Sequence, residues 1–446
     1  LAVTGVVSGA GFTAGSATLA ESELELLDGL TAGTAIASKV VTTDANIDNS
    51  GMRNLTISGE LDAATLDISG AIDVAGTSNL DIVDIDGAVD MASTLQVDGA
   101  LTTSSTINTL GITGSKTNFV GSMLISNDAG TGTLNAASCN TGFGHEVFDD
   151  LTTGDENTAV GYKSLTKNTT GTNNSAVGSG ALDANSTGSG NTAVGRNSLG
   201  GNTTASENTA VGMYSLLTNS TGTLNVAVGV SALQNSTTSN FNTAIGGYSL
   251  DTNSTGASNT AVGYRSLDAN TTGINSVAVG ANALEANTTG SKNIAVGQHS
   301  LGTATTGANN VAVGHIALED LTTASNNTAI GAFSSRNITT GASNVSVGYN
   351  SLQANTTAAG NTAVGHQAMM TTTTEGQNTA VGKDAMRLNT TGGNNVAIGV
   401  NALCTNTSAS ANTAVGTYSV RDTTTGCCNT GIGYAALRVN STGDNN

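Results

Sequence analysis

Proline and tryptophan are absent from the 446 residues, aromatic residues make up only 3 %, and charged residues 10 %. Apolar residues reach 37 %, below the usual globular share of about 45–50 %. Most of them are Ala, Val and Leu, so a wide core of bulky side chains is excluded. A core one or two residues thick remains possible. The scarcity of charge, together with regularly placed Val and Leu, argues against a disordered polyampholyte.

The net charge is −19 and unevenly distributed. Residues 1–139 hold 16 acids against Lys39, Arg53 and Lys116, which gives −13; residues 140–446 hold 16 acids against 10 bases, which gives −6. Neither part has a basic stripe or aromatic platforms for bases, so nucleic acid is not an expected partner. No apolar run approaches the roughly 18 residues of a spanning helix, and membrane insertion is not expected either. The four cysteines, Cys139, Cys404, Cys427 and Cys428, suit neither a disulfide framework nor a zinc site. No signal peptide is visible. The chain starts at Leu1 rather than Met, which suggests a piece of a longer protein.

What the sequence has in abundance is one phrase, N-T-A-V-G-x-x-S-L-x-x-N-T-T-G-x-x. The glycine of "AVG" recurs at Gly144, Gly161, Gly178 and onward to Gly433, eighteen times at an unbroken spacing of 17 residues. Loops tolerate insertions. Eighteen units without one mean that each is registered on its neighbours along its whole length, as in a solenoid. Seventeen residues are too few for helical or leucine-rich repeats and suit one coil of a β-solenoid. Eighteen coils at about 4.8 Å per step predict a rod roughly 80 Å long. Asn446 would open a nineteenth coil, so the array is expected to continue.

Within the phrase the fourth position is Val, Ile or once Phe143, the third is Ala, Gly or Ser, and the fifth is Gly. This alternation gives one bulky and one bare strand face. Val160 with Leu165, and Val262 with Leu267, are expected to fill a thin core. Ala159 and Gly161, like Ala261 and Gly263, are expected at a face where another chain's backbone comes close, or, for the glycines, to supply a positive φ. Asn157, Asn259 and their equivalents, 17 of 18 coils with Ser276 the exception, are expected to hydrogen-bond up and down the stack.

Residues 1–139 repeat more loosely. "LTISG" (55–59), "LDISG" (66–70), "LDIVDIDG" (80–87) and "LQVDG" (95–99) read as alternating strands closed by glycine, and "TLAESELELLDG" (18–29) as a short helix with a capping box at Ser22 and Glu25. The expected organisation is an N-terminal shaft segment over 1–50, a glycine-punctuated β shaft over 51–139 and the solenoid over 140–446. The class is all-β, a β-solenoid or β-roll expected as an intertwined homotrimeric fibre.

No constellation points to catalysis. Asp84, Asp86 and Asp90 lack the calcium-loop patterns and read as a solvated acidic face. His145, His299, His315 and His366 are too far apart to share a metal. The pairs Asp149–Asp150 and Glu319–Asp320 lack a sugar cleft and aromatic platforms. The chain therefore reads as a non-enzyme without cofactors. Outward positions such as Tyr162, Arg196, Tyr264 and Tyr349 are the candidates for contact with a cell-surface glycan.

The phrase "NTAVGYxSLxxNTTGxxN" resembles repeats of bacteriophage tail-fibre proteins, notably marine ones. Residues 21–35 ("ESELELLDGLTAGTA") and 66–103 resemble the shafts of the same proteins. "NSVAVG" (275–280) is also similar to the head repeat of trimeric autotransporter adhesins. The first resemblance implies a homotrimeric, extracellular virion fibre presenting a host-recognition tip and often completed by a C-terminal self-cleaving chaperone. Its partners would be other virion or tail proteins and a host surface glycan or protein. The second implies an adhesin head on a bacterial surface.

Overall fold

The computed structural model describes residues 11–14, 17–20, 111–113, 119–120, 123–126 and 136–446. The chain divides into two compact units, 1–96 and 97–446. In the first, β1 (Gly11–Ala14) and β2 (Ala17–Ala20) form an antiparallel pair with Phe12 opposite Leu19. Residues 18–20 are thus strand where the start of a helix was expected. Pairing with β1 overrides the local helical pattern there. The rest of that segment, the strands expected at 55–99 and the acidic cluster around Asp84 lie outside the described residues.

The second unit is a parallel β-solenoid. It begins with β3 (Gly111–Thr113), β4 (Phe119–Val120), β5 (Met123–Ser126) and β6 (Ala137–Ser138). Eighteen coil strands follow, from β7 (Thr141–Phe143) and β8 (Thr158–Val160) to β24 (Thr430–Ile432), one every 17 residues. β5 pairs in parallel with β7, so the ladder starts ahead of residue 140. β3 runs antiparallel to β5 and covers that edge. From β7 onward each strand pairs in register with the next, as in Thr260↔Val277, Ala261↔Ala278 and Val262↔Val279. Among the described residues every regular element is a strand.

Pairing does not stop at the three strand residues. Lys163 N–H donates to the His145 carbonyl, Leu165 to Ala181, and Asn173 to Asp155, each at 3.0 Å. Corners as well as strands are therefore hydrogen-bonded coil to coil, so one inserted residue would break several bonds at once. The corners need left-handed backbone: φ is +130° at Gly161, +56° at Lys163 and +52° at Leu165, and the pattern recurs coil after coil. Such conformations cost of order 1 kcal/mol or more for a residue with a side chain. They turn the leucine inward, where it is fully buried.

This geometry reverses the expected strand faces. Ala159, Ala261 and their equivalents lie inside with no exposed surface, packed in one core with Leu165 and Leu267. Val160 and Val262 point outward, and no fourth-position residue is buried: Val177 is 41 % and Ile245 40 % exposed. A 17-residue coil is so narrow that the leucine from the opposite wall fills it and leaves room for one methyl group. The end coils obey the same volume rule. Gly142 replaces alanine where a Cβ would stand 2.6 Å from Leu124 Cδ1 and 3.0 Å from Phe148 and Val147.

Of the two readings of the repeat glycines, the positive φ is present, and the approach of another chain's backbone is corrected. A Cβ on Gly263 would stand 2.6 Å from the Gly280 carbonyl, and φ there is +137°. The backbone that comes close belongs to the next coil of the same chain, not to another chain.

Half of the core is polar. Asn157 donates through N–H and Nδ2 to Oδ1 of Asn140, at 2.9 and 3.1 Å, and Nδ2 also donates to the Gly171 carbonyl at 2.9 Å. Asn174 repeats this one coil on. A second buried ladder runs through Asn168 and Asn185, whose Nδ2 groups donate to the Gly171 and Gly188 carbonyls. The Gly188 carbonyl thus accepts from Asn174 and Asn185, using both lone pairs. Where the second ladder lapses, Leu321 and Ile338 fill the space and are fully buried. Ser335 replaces a core leucine but is satisfied by Ser346, Oγ to Oγ 2.6 Å.

Two outcomes follow for stability. Ala261→Leu should destabilise by about 1–3 kcal/mol through overpacking, whereas Tyr264→Ala on the outer face should stay within about 0.5 kcal/mol. Denaturant unfolding distinguishes them. Ser276 keeps part of the asparagine pattern, accepting from Asn293 N–H through Oγ at 3.2 Å. Ser276→Asn restores a donor to the Gly290 carbonyl and should stabilise by about 0.5–1.5 kcal/mol, seen as slower amide exchange in residues 259–293.

Candidate functional site

Two outward surfaces carry what chemistry the rod has. The first is the outer strand face, with second-position Thr, Ser, Val or Ile beside fourth-position Val, Ile or Phe143. Every coil strand shows the same pattern, with only its middle residue buried. No charged residue interrupts this face in any of the eighteen coils. Positions two apart on a strand project the same way, so the face is an apolar and hydroxyl-bearing strip along the whole ladder.

The second surface lies at the sixth and seventh positions, just beyond the glycine corner. Tyr162, Arg196, Tyr264 and Tyr349 all occupy the sixth position and are all exposed, but the structure does not bring them together. Tyr162 stands 5.6 Å from His145, with Lys163 Nζ over its ring at 5.5 Å. Arg196 lies over Tyr214 at 5.6 Å. Tyr264 meets Tyr248 edge to face at 6.1 Å, with Arg265 at 5.7 Å.

Tyr349 belongs to something longer. His315, Phe333, Tyr349 and His366 form one continuous run with centroid separations of 5.4, 6.0 and 5.5 Å. The first two contacts are edge to face and the third is stacked. Phe333 is at a seventh position and the others at sixth positions, so a single-column reading of the repeat misses it. An aromatic residue at the sixth or seventh position of each of four consecutive coils was the available signal.

Charged side chains form local ion pairs. Glu146 binds Lys163 at 3.1 Å and raises the lysine pKa through its hydrogen bond and charge. Arg265 reaches Asp268 at 3.7 Å and Glu285 at 3.5 Å. Glu319 holds Arg336 at 3.0 Å, while burial, then the charge of Glu319, pushes the neighbouring Asp320 carboxyl up. Asp251 and Asp268 stack in successive coils at the tenth position. Burial pushes both carboxyls up, and the charge of Asp268 adds to the shift at Asp251. Among the described residues no group of three or more His, Cys, Asp or Glu side chains converges as a metal site would require, and all four cysteines are free.

The Asp251 carboxyl allows a pH test. Its folded pKa lies above the ordinary value of 3.8, so ionisation is disfavoured by folding. That cost is present above the folded pKa and fades as pH falls through it. Asp251→Asn should therefore raise the melting temperature near neutral pH, and leave it unchanged near pH 3, where the carboxyl is protonated in both states. Thermal unfolding at the two pH values checks this.

Compared with protein-family models and with curated proteins, the sequence matches none.

Proposed function

We propose that this chain is a structural and adhesive fibre segment that works as a parallel homotrimer, of the kind that forms the shaft of a bacteriophage tail fibre. The observation that carries the reading is the uninterrupted apolar strip on the outer strand face. At roughly 50 Å² for each fourth-position side chain, eighteen of them present on the order of 900 Å². That exceeds the few hundred Å² typical of a soluble monomer's largest apolar patch and is comparable to the about 800 Å² per partner of a standard interface. Identical coils in identical register make the strip self-complementary to parallel copies of itself. Two copies face to face, or three about an axis, would cover it. The resemblance of the repeat to tail fibres favours three.

A rod of this kind separates an attachment point from a tip by a fixed distance. It needs no catalytic group, and its stiffness comes from coil-to-coil bonds at strands and corners alike. An extracellular setting on a virion, with other tail proteins at one end and a host receptor at the other, belongs to the same proposal. An adhesin head on a bacterial surface would use the same rod. Immunogold labelling separates the two: decoration of virion tails supports the fibre, and decoration of bacterial cells alone supports the adhesin.

Sedimentation equilibrium tests the assembly. The wild-type chain should run as a trimer. Val262→Asp with Val279→Asp, two charges placed on neighbouring rungs of the strip, should release monomers while circular dichroism keeps its β signature. A wild-type monomer at micromolar concentration would refute the trimer.

A further inference from the structure

We propose that the ring run His315–Phe333–Tyr349–His366 is a binding platform for a neutral polysaccharide lying along the rod. This goes beyond the fibre reading and does not rest on it. The platform sits at the sixth and seventh positions, beyond the glycine corner from the valine strip, and a single chain carries all of it.

Three observations support this ligand class. The first is continuity: the rings follow one another at 5.4, 6.0 and 5.5 Å, roughly one ring per coil. A linear polysaccharide presents its sugars as a similar row, and each pyranose has an apolar C–H face that packs on an aromatic ring. The second is exposure. His315, Tyr349 and His366 are exposed, with Tyr349 at 47 %, and only Phe333 is half-buried. Ring pairing among neighbours holds the run in shape without removing it from solvent.

The third is the company these rings keep. From Gln298 to Gln367 the sixth and seventh positions contain no Asp, Glu, Lys or Arg. They hold instead Gln298, His299, Asn350 and Gln367, whose amides and imidazole donate to and accept from hydroxyls. The charged residues of the tenth column in the same coils, Glu319 and Arg336, neutralise each other at 3.0 Å. Within these coils an anionic glycan or a nucleic acid backbone would find no lysine or arginine in the two columns, the next one along being Lys383 in the following coil. Elsewhere Tyr162, Tyr264 and Tyr418 each carry a lysine or arginine over the ring; the four-ring run carries none among the described cation contacts.

Affinity electrophoresis of the full chain through gels containing a β-glucan, a mannan, a galactan or a xyloglucan tests the proposal. At least one polymer should retard the chain, and the retardation should persist in about 0.5 M NaCl, where exposed charges are screened. Phe333→Leu with Tyr349→Leu should weaken binding at least about tenfold, as loss of central contacts does. Tyr349→Phe, which keeps the ring, should retain most of it. Tyr264→Ala, off the run, should leave it unchanged. Amide exchange and sedimentation of the double variant, both matching wild type, keep loss of binding separate from loss of fold or assembly. The proposal is overturned if none of the four polymers retards the chain, if a folded double variant binds like wild type, or if binding disappears in salt. Binding to a host protein with no retardation by polysaccharide would also overturn it.

Discussion

A buried carboxamide at the first position of nearly every coil is the contact on which the rest of this fold depends. A coil of 17 residues encloses too little space for an apolar core thick enough to hold it. Its interior must admit backbone polar groups that need partners. Asn157 meets that need in three directions: toward the coil before it, toward the glycine carbonyl of its own coil, and through Oδ1 toward Asn174. One side chain thereby fixes both the closure of a coil and its distance from the next. The second ladder, through Asn168 and Asn185, shares the same glycine carbonyls. Lateral register and coil closure are thus one network rather than two.

The same narrowness places the apolar residues. With leucine reaching across from the opposite wall, the strand can turn inward nothing larger than alanine, serine or glycine. The bulky residue of the alternation is then forced outside. The outcome is an all-β rod whose interior is half hydrogen bonds and whose surface carries an apolar strip, an inversion of the usual globular arrangement. Such a chain is sound as a stack but leaves an apolar strip exposed, and that strip is the basis of the proposed association with its own copies.

Local surface chemistry on this scaffold is set by what the free positions of each coil carry. Backbone bonds and ladders fix most of the 17 positions, and the sixth, seventh and tenth vary. Variation in those columns writes local features onto a uniform rod: an acidic stretch around Asp251 and Asp268, an ion pair at Glu319 and Arg336, and a row of rings from His315 to His366. Each feature spans several coils because equivalent side chains stand one coil apart. A repeat lattice therefore builds extended surface features rather than isolated ones.

The spacing of Gly144, Gly161 and their successors determined the solenoid from sequence alone, because an unbroken period of 17 has no other physical use than stacking in register. It also marked Gly161 as a residue of every coil and Asn157 as one of every coil but that of Ser276. Which face of "TAVG" turns inward was beyond its reach. Period-two alternation defines two faces but not which is inside, and Val160 looked like the better core residue. That choice belongs to the closed coil, where left-handed backbone at Gly161, Lys163 and Leu165 brings the leucine over Ala159. The neighbour behind Gly161, the next coil and not another chain, was likewise decided only when the coils stacked. So was the joining of Tyr349 to Phe333, since residues in different columns of the repeat meet only once successive corners lie one above the other.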